Sequence, residues 1–125
     1  MALTYSTAIA NARLDVVEST IGASAILRIR TGAPPATVAS ASTGTVLATV
    51  NLPSDWMAAA SGRSKAKSGT WTDASADATG TAGHFEIVAS DGTTVGMRGT
   101  VGTSSADMIV NTTSFNSGET FTVNT

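Results

Sequence analysis

Few residues of this chain have the type and spacing to do chemistry. His84 is its one imidazole and cysteine is absent, so nucleophilic catalysis through a base would have to run through that single ring. It stands beside Phe85 and shares a strand face with Glu86, the setting of a structural histidine. Asp73, Asp77, Asp91 and Asp107 are the carboxylates a calcium ion would draw on, but calcium takes about 6–8 oxygens from a clustered set. These four are dispersed without a D-x-D-x-D-G run; next to Gly or Ser they read as turn formers. Gly96, Gly99 and Gly102 resemble the spacing of a phosphate loop, which needs a strand-to-helix turn with the glycines at its mouth. Within a hairpin they read instead as bulges or places of close backbone packing. One His and no Cys argue against a transition-metal site. The expectation is a protein that is not an enzyme, with no catalytic residues, no cofactor and no metal.

The remaining candidates concern contact rather than catalysis. Arg63, Lys65 and Lys67 form the only basic run, and at period two they would share one face of a strand. Trp56, Met57 and Trp71 are large anchors in a chain otherwise short of them. These six residues are the candidate protein-interface set. The net charge of −2 excludes a general nucleic-acid binder that works by phosphate neutralisation. A basic patch this small reads as a solvated loop or as a docking contact to an acidic partner.

The elements that must position these residues change period once. Ala10, Leu14, Val17 and Ile21 fall at i, i+4, i+7 and i+11, one stripe of a helix over 7–22. Ser6 or Thr7 caps its start and Gly22 ends it; Asn11, Asp15 and Glu18 lie off the stripe and are expected in solvent. From residue 25 onward the pattern is β. Leu27 and Ile29 alternate with Arg28 and Arg30, then Gly32–Pro35 breaks the strand and 36–45 reads as a loop. Val46, Ala48, Val50 and Leu52 alternate with Leu47, Thr49 and Asn51. Residues 53–67 fit either a short helix capped by Ser54 or a β edge. A strand is expected over 68–73 and a small-residue loop over 73–83. Phe85, Ile87 and Ala89 alternate against His84, Glu86 and Val88, and Asp91-Gly92 turns the chain into a return strand over 95–101. Shorter strands are expected over 107–111 and 120–124. Such spacing indicates a mostly β single domain (1–125), an antiparallel β-sandwich or jelly-roll-like barrel over 25–125 with one N-terminal helix.

Composition supports a fold that leans on neighbours. Of 52 apolar residues 21 are Ala, leaving 31 large side chains for 125 residues, a thin supply for a core. Charged residues are 13%, about half the ~25% of typical soluble domains, and Thr, Ser and Gly fill the gap. No run approaches the ~20 apolar residues that cross a bilayer, and the N-terminus lacks a basic start and apolar run, so neither a membrane association nor a targeting segment is expected.

Several phrases carry a resemblance. They are Ala8–Asp15 (AIANARLD), the Ile29-x-x-Gly32-Ala33-x-Pro35 turn, Ala74–Ala82 (ASADATGTA), Ser90–Val95 (SDGTTV) and Gly102–Met108 (GTSSADM). Together the chain resembles small virion proteins of tailed bacteriophages and prophages, of the capsid decoration (cement) kind. The resemblance implies a structural protein made in the bacterial host cytoplasm. It would sit on the capsid exterior, bind a major capsid protein of HK97-type fold and associate as a homodimer or homotrimer. No catalytic residue is implied. Two further expectations stay open: a receptor- or glycan-binding module of a tail fibre or head spike, with a Trp as stacking platform, and a tail or neck component of the same fold.

Overall fold

The helix begins where a hydroxyl can cap it. The Ser6 Oγ accepts the Ile9 N–H at 3.2 Å, and α1 runs Thr7–Ile21. It stops at Gly22, which takes a φ of 99° and closes its N–H on the Glu18 carbonyl at 2.9 Å. The computed structural model describes residues 3–123; Asn124, placed in the last strand from sequence, lies outside them. Ala10, Leu14 and Ile21 are half-buried and Val17 is exposed, and no residue of α1 is fully buried.

Beyond α1 the described residues are all β or loop. The strands are β1 (Ile26–Thr31), β2 (Val46–Asn51), β3 (Trp71–Asp73), β4 (Gly80–Val88), β5 (Val95–Gly102), β6 (Met108–Ile109), β7 (Ser114–Phe115) and β8 (Phe121–Val123). The main sheet has the order β2-β1-β4-β5-β6, β7 pairs with the start of β4, and β3-β8 form a small second sheet. The protein is mostly β with one helix, in a sandwich-like arrangement. The β5–β6 pair runs parallel, so the sheet is mixed rather than wholly antiparallel.

Register explains the core. Leu27 lies opposite Val50 and Ile87, and Ile29 opposite Ala48 and Phe85, which stacks six apolar side chains on one face. Trp56, Trp71, Phe115 and Val123 join the same buried cluster. The rings of Trp56 and Trp71 are 6.0 Å apart and those of Phe115 and Phe121 5.0 Å apart, both tilted, as the ring quadrupoles favour. Most of the buried large side chains are gathered in this cluster.

The other face of the sheet departs from the half-buried pattern expected of it. β4 is buried on both faces: His84, Glu86 and Val88 are fully buried along with Phe85 and Ile87. The segment 32–45 folds back over this face. The Arg98 guanidinium holds it, donating to the carbonyls of Thr37 (2.9 Å), Val38 (3.2 Å) and Ser40 (2.8 Å) and to the Ser42 Oγ (2.9 Å). The Ala89 position expected inward is only half-buried, because the register shifts between Ile87 and Val88.

Two stretches read differently from expectation for identifiable reasons. Gly80–Gly83, expected as loop, opens β4. A Cβ at Gly83 would run into the Gly32 backbone, so glycine there permits close packing of two chains rather than a turn. Residues 56–68 form a β-hairpin, not the short helix weighed for Asp55–Ala60. Gly62 and Arg63 take φ of 59° and 66°, the two positive values a type I′ turn needs. Ser61 and Ser64 exchange hydrogen bonds of 2.8 and 3.0 Å across it. Because Arg63 sits in the turn, the three basic residues do not share one strand face. The strands over 68–73 and 107–111 are shorter than expected, and β7 was not foreseen.

The four aspartates close edges and turns. The Asp73 carboxylate accepts the Thr49 N–H on β2 at 2.9 Å, and the Asp107 carboxylate accepts the Thr100 N–H on β5 at 2.9 Å. Asp77 takes the Thr49 hydroxyl at 2.7 Å, and Asp91 ties the β4–β5 turn through the Thr93 and Thr94 N–H groups. These contacts blunt strand edges that would otherwise offer free backbone groups. The glycine triplet is spatial: added side chains would strike Ile21 at Gly96 and Phe85 at Gly99, and would crowd Ala106 at Gly102.

Candidate functional site

A cleft of about 940 Å³ opens between α1, the hairpin and the inner face of the main sheet. All six residues of the candidate interface set, Trp56, Met57, Arg63, Lys65, Lys67 and Trp71, line it. The spacing that separates them in sequence is closed by the hairpin, which returns the chain from Met57 to Lys67 as paired neighbours. The walls include Leu14 and Val17 of α1 and Met97 and Met108 of the sheet, so the lining is largely apolar.

Within the cleft the six residues play different parts. Trp56 is 1% exposed and Trp71 5% exposed, so within the single chain both belong to the core. Their indole N–H groups are spent inside the chain, donating to the Gly22 carbonyl at 3.0 Å and the Ser68 carbonyl at 3.1 Å. Neither ring offers a face for a sugar to stack on. Met57 is half-buried at the wall.

The basic residues also divide. Lys65 reaches α1, with its Nζ 2.7 Å from Asp15 and 3.0 Å from Glu18; it is a tie within the chain rather than a free docking charge. Its hydrogen bond to Asp15 raises the Lys65 pKa and lowers that of Asp15. Burial works to raise Glu18, but the bonds from Lys65 and from the Met57 N–H outweigh it and leave the Glu18 pKa lowered. Arg63 and Lys67 instead donate to neutral carbonyls, those of Tyr5 (2.6 Å) and Gly69 (2.9 Å).

Asn11, Asp15 and Glu18, expected in solvent, make the contact that places α1. Glu18 accepts the Met57 N–H, Asp15 the Ala60 N–H and Asn11 the Arg63 N–H, each at 2.9 Å. Their i, i+4, i+7 spacing is itself a helical stripe, and a polar stripe facing a strand edge was the available signal. The helix thus docks through hydrogen bonds to backbone, in addition to its apolar stripe.

A second polar cluster lies outside the cleft and was missed from sequence. Glu86 is fully buried, with Arg30 at 2.9 Å, Arg98 at 3.3 Å and Arg28 at 3.9 Å. The Ser42 hydroxyl donates to it at 2.9 Å. Burial raises its pKa, but the hydrogen bond from Ser42 and the arginine contacts prevail, holding it below the ordinary glutamate value. Cross-strand register was the signal: Arg28 and Arg98 flank Glu86 directly. A buried carboxylate without such partners would be strongly unfavourable.

His84 neighbours this cluster. Its Nδ1 donates to the Gly32 carbonyl at 2.9 Å and its Nε2 meets no polar atom among the described residues. No nucleophile stands within hydrogen-bond reach of the ring, so the arrangement is that of a packed side chain. No group of three or more His, Cys, Asp or Glu among the described residues could hold a metal ion. What the geometry provides is an apolar-lined cleft and a set of exposed apolar side chains on α1 and the segment before it. Comparison with protein families, with curated proteins and with solved structures finds no match for this chain.

Proposed function

We propose that the chain is a structural, non-enzymatic virion protein of a tailed bacteriophage, one that binds the outside of the capsid and reinforces its lattice. The observation that carries this reading is the set of exposed apolar side chains in the N-terminal region. Five of the seven exposed large apolar side chains among the described residues, Leu3, Tyr5, Ile9, Val16 and Val17, belong to α1 and the segment leading into it. Val17 borders the cleft and the Arg13 guanidinium lies 4.7 Å over the Tyr5 ring, but Leu3, Ile9 and Val16 are left in water, and apolar area there favours association with a partner. The sequence phrases that resemble those of capsid decoration proteins point to a major capsid protein of HK97-type fold as that partner.

Two physical features suit the role. Edges satisfied by Asp73 and Asp107 discourage strand-to-strand aggregation at high local copy number. Low charge density allows many copies to sit close together without strong repulsion. Self-association as a homodimer or homotrimer at a lattice axis would follow from the shell's own symmetry.

The test is to add the purified chain to expanded capsids lacking it and to record retention and rupture temperature. Stable attachment with a raised rupture temperature is the expected result. Capsids that neither retain the chain nor change their rupture temperature contradict the reading.

A further inference from the structure

One edge of the hairpin is closed and the other is open. The Met57 strand spends its outward N–H groups on Glu18 and Asp15 of α1. On the return strand, the Ala58 N–H to Ala66 carbonyl bond (2.8 Å) and the Ser68 N–H to Trp56 carbonyl bond (2.9 Å) bracket Lys67. That is the pattern of a non-hydrogen-bonded pair, in which the backbone groups of Lys67 point away from the hairpin. No hydrogen bond among the described residues takes up the backbone N–H of Lys65 or Lys67. This strand is also a wall of the apolar cleft.

We propose that the Lys65–Lys67 edge takes up an extended, acidic segment of a partner protein, which seats one apolar side chain in the adjoining cleft. The inference rests on the capsid reading only in that it names the kind of segment such a partner would supply. Main-chain pairing along an open edge gives affinity, and a pocket beside it selects the side chain. Charge selects the flanks. Arg63 and Lys67 at the rim have no carboxylate within ion-pair distance among the described residues, since the ion pairs of the chain engage Arg28, Arg30, Lys65 and Arg98. Their bonds go to neutral carbonyls, which a carboxylate would outcompete as acceptor.

A second copy of the chain is a poorer occupant. Its exposed apolar segment is α1, whose carboxylates Asp15 and Glu18 are already held by Lys65. An anionic lipid could match the charge and the cleft but has no backbone for the open edge.

The experiment titrates an array of short extended peptides onto the isotope-labelled full chain. Each peptide carries one apolar residue flanked by Asp, by Ser or by Lys. The Asp-flanked peptides are expected to bind about tenfold or more tighter than the Lys-flanked ones and to shift the amide signals of Lys65 and Lys67. Lys67→Glu should reverse that preference, and Lys67→Gln, the milder replacement, should weaken it. No binding, binding blind to charge, or binding that leaves those two amides unmoved overturns the proposal. Dodecanoate serves as the lipid probe, and displacement of the peptides by tighter dodecanoate binding also overturns it. Capsid attachment is scored separately. A chain that binds Asp-flanked peptides but no capsid retains this inference and loses the capsid reading; the reverse outcome removes this inference alone.

Discussion

The Nζ of Lys65 lies 2.7 Å from the carboxylate of Asp15, and this contact ties the helix to the hairpin rather than to the sheet. Asp15 also accepts the Ala60 N–H, so one carboxylate satisfies a side chain and a strand edge together. Lys65→Met removes the charge and keeps most of the stem. The expected outcome is faster amide exchange across α1 and residues 57–67, with the protection of β1, β4 and β5 unchanged. Equal loss of protection throughout the sheet would contradict a locally attached helix.

The same contact predicts a pH response at both extremes. Asp15 and Glu18 are held below their ordinary values of 3.8 and 4.5, so their contribution is present above those values and is lost as pH falls through the lowered ones. Lys65 is raised above 10.5; its contribution is complete below that value and is lost as pH rises through the higher one. The protection of the α1 amides, corrected for the intrinsic pH dependence of exchange, should fall in both windows and be greatest between them. A protection that stays constant through both windows, or that falls near neutral pH, would contradict the assignment.

Glu86 anchors the covered face of the sheet. Glu86→Gln leaves Arg30 and Arg98 without their carboxylate, and breaking a buried ion pair on one side costs about 3–5 kcal/mol. Urea unfolding should show a loss of that order, accompanied by proteolytic sensitivity in residues 36–42, the segment Arg98 holds. Because the Glu86 pKa is lowered, the wild-type contribution is present above the ordinary glutamate value and is lost as pH falls through the depressed one. A variant as stable as wild type would remove the cluster's assigned role.

Glycine positions separate close packing from turn chemistry. A Cβ at Gly99 would meet the Phe85 ring and Asp107, so Gly99→Ala should cost about 1–3 kcal/mol through overpacking. Gly62, in the positive-φ turn, has open space around it. Gly62→Asn is tolerated by a type I′ turn and should shift the melting midpoint far less. Thermal unfolding of the two variants ranks them directly.

The parts of the fold legible in sequence are those written in short-range pattern. The helix bounded by Ser6 and Gly22, the alternation of Leu27 and Ile29, and the Asp91-Gly92 turn each depend on neighbours a few residues away. The hairpin at 56–68 was ambiguous because Ser-Gly-Arg-Ser is a weaker turn signal than Asn-Gly and the run Ala58–Ala60 suits a helix. The burial of Glu86 was not legible because alternation says which side a residue faces and not what later folds over that side. The six interface candidates do gather in one cleft, but their burial and pairing depend on contacts across tens of residues. Trp56 to Gly22 and Lys65 to Asp15 are examples.

The central claim, that the exposed apolar side chains of α1 are where the chain meets a shell, is tested most directly by an image reconstruction of the intact phage particle. The account predicts symmetric copies of the β body on the outside of the head, with Ile9 and Val16 turned into the interface with capsid protein or a neighbouring copy. Particles whose heads carry no such density, or whose copies point α1 into solvent, would contradict it.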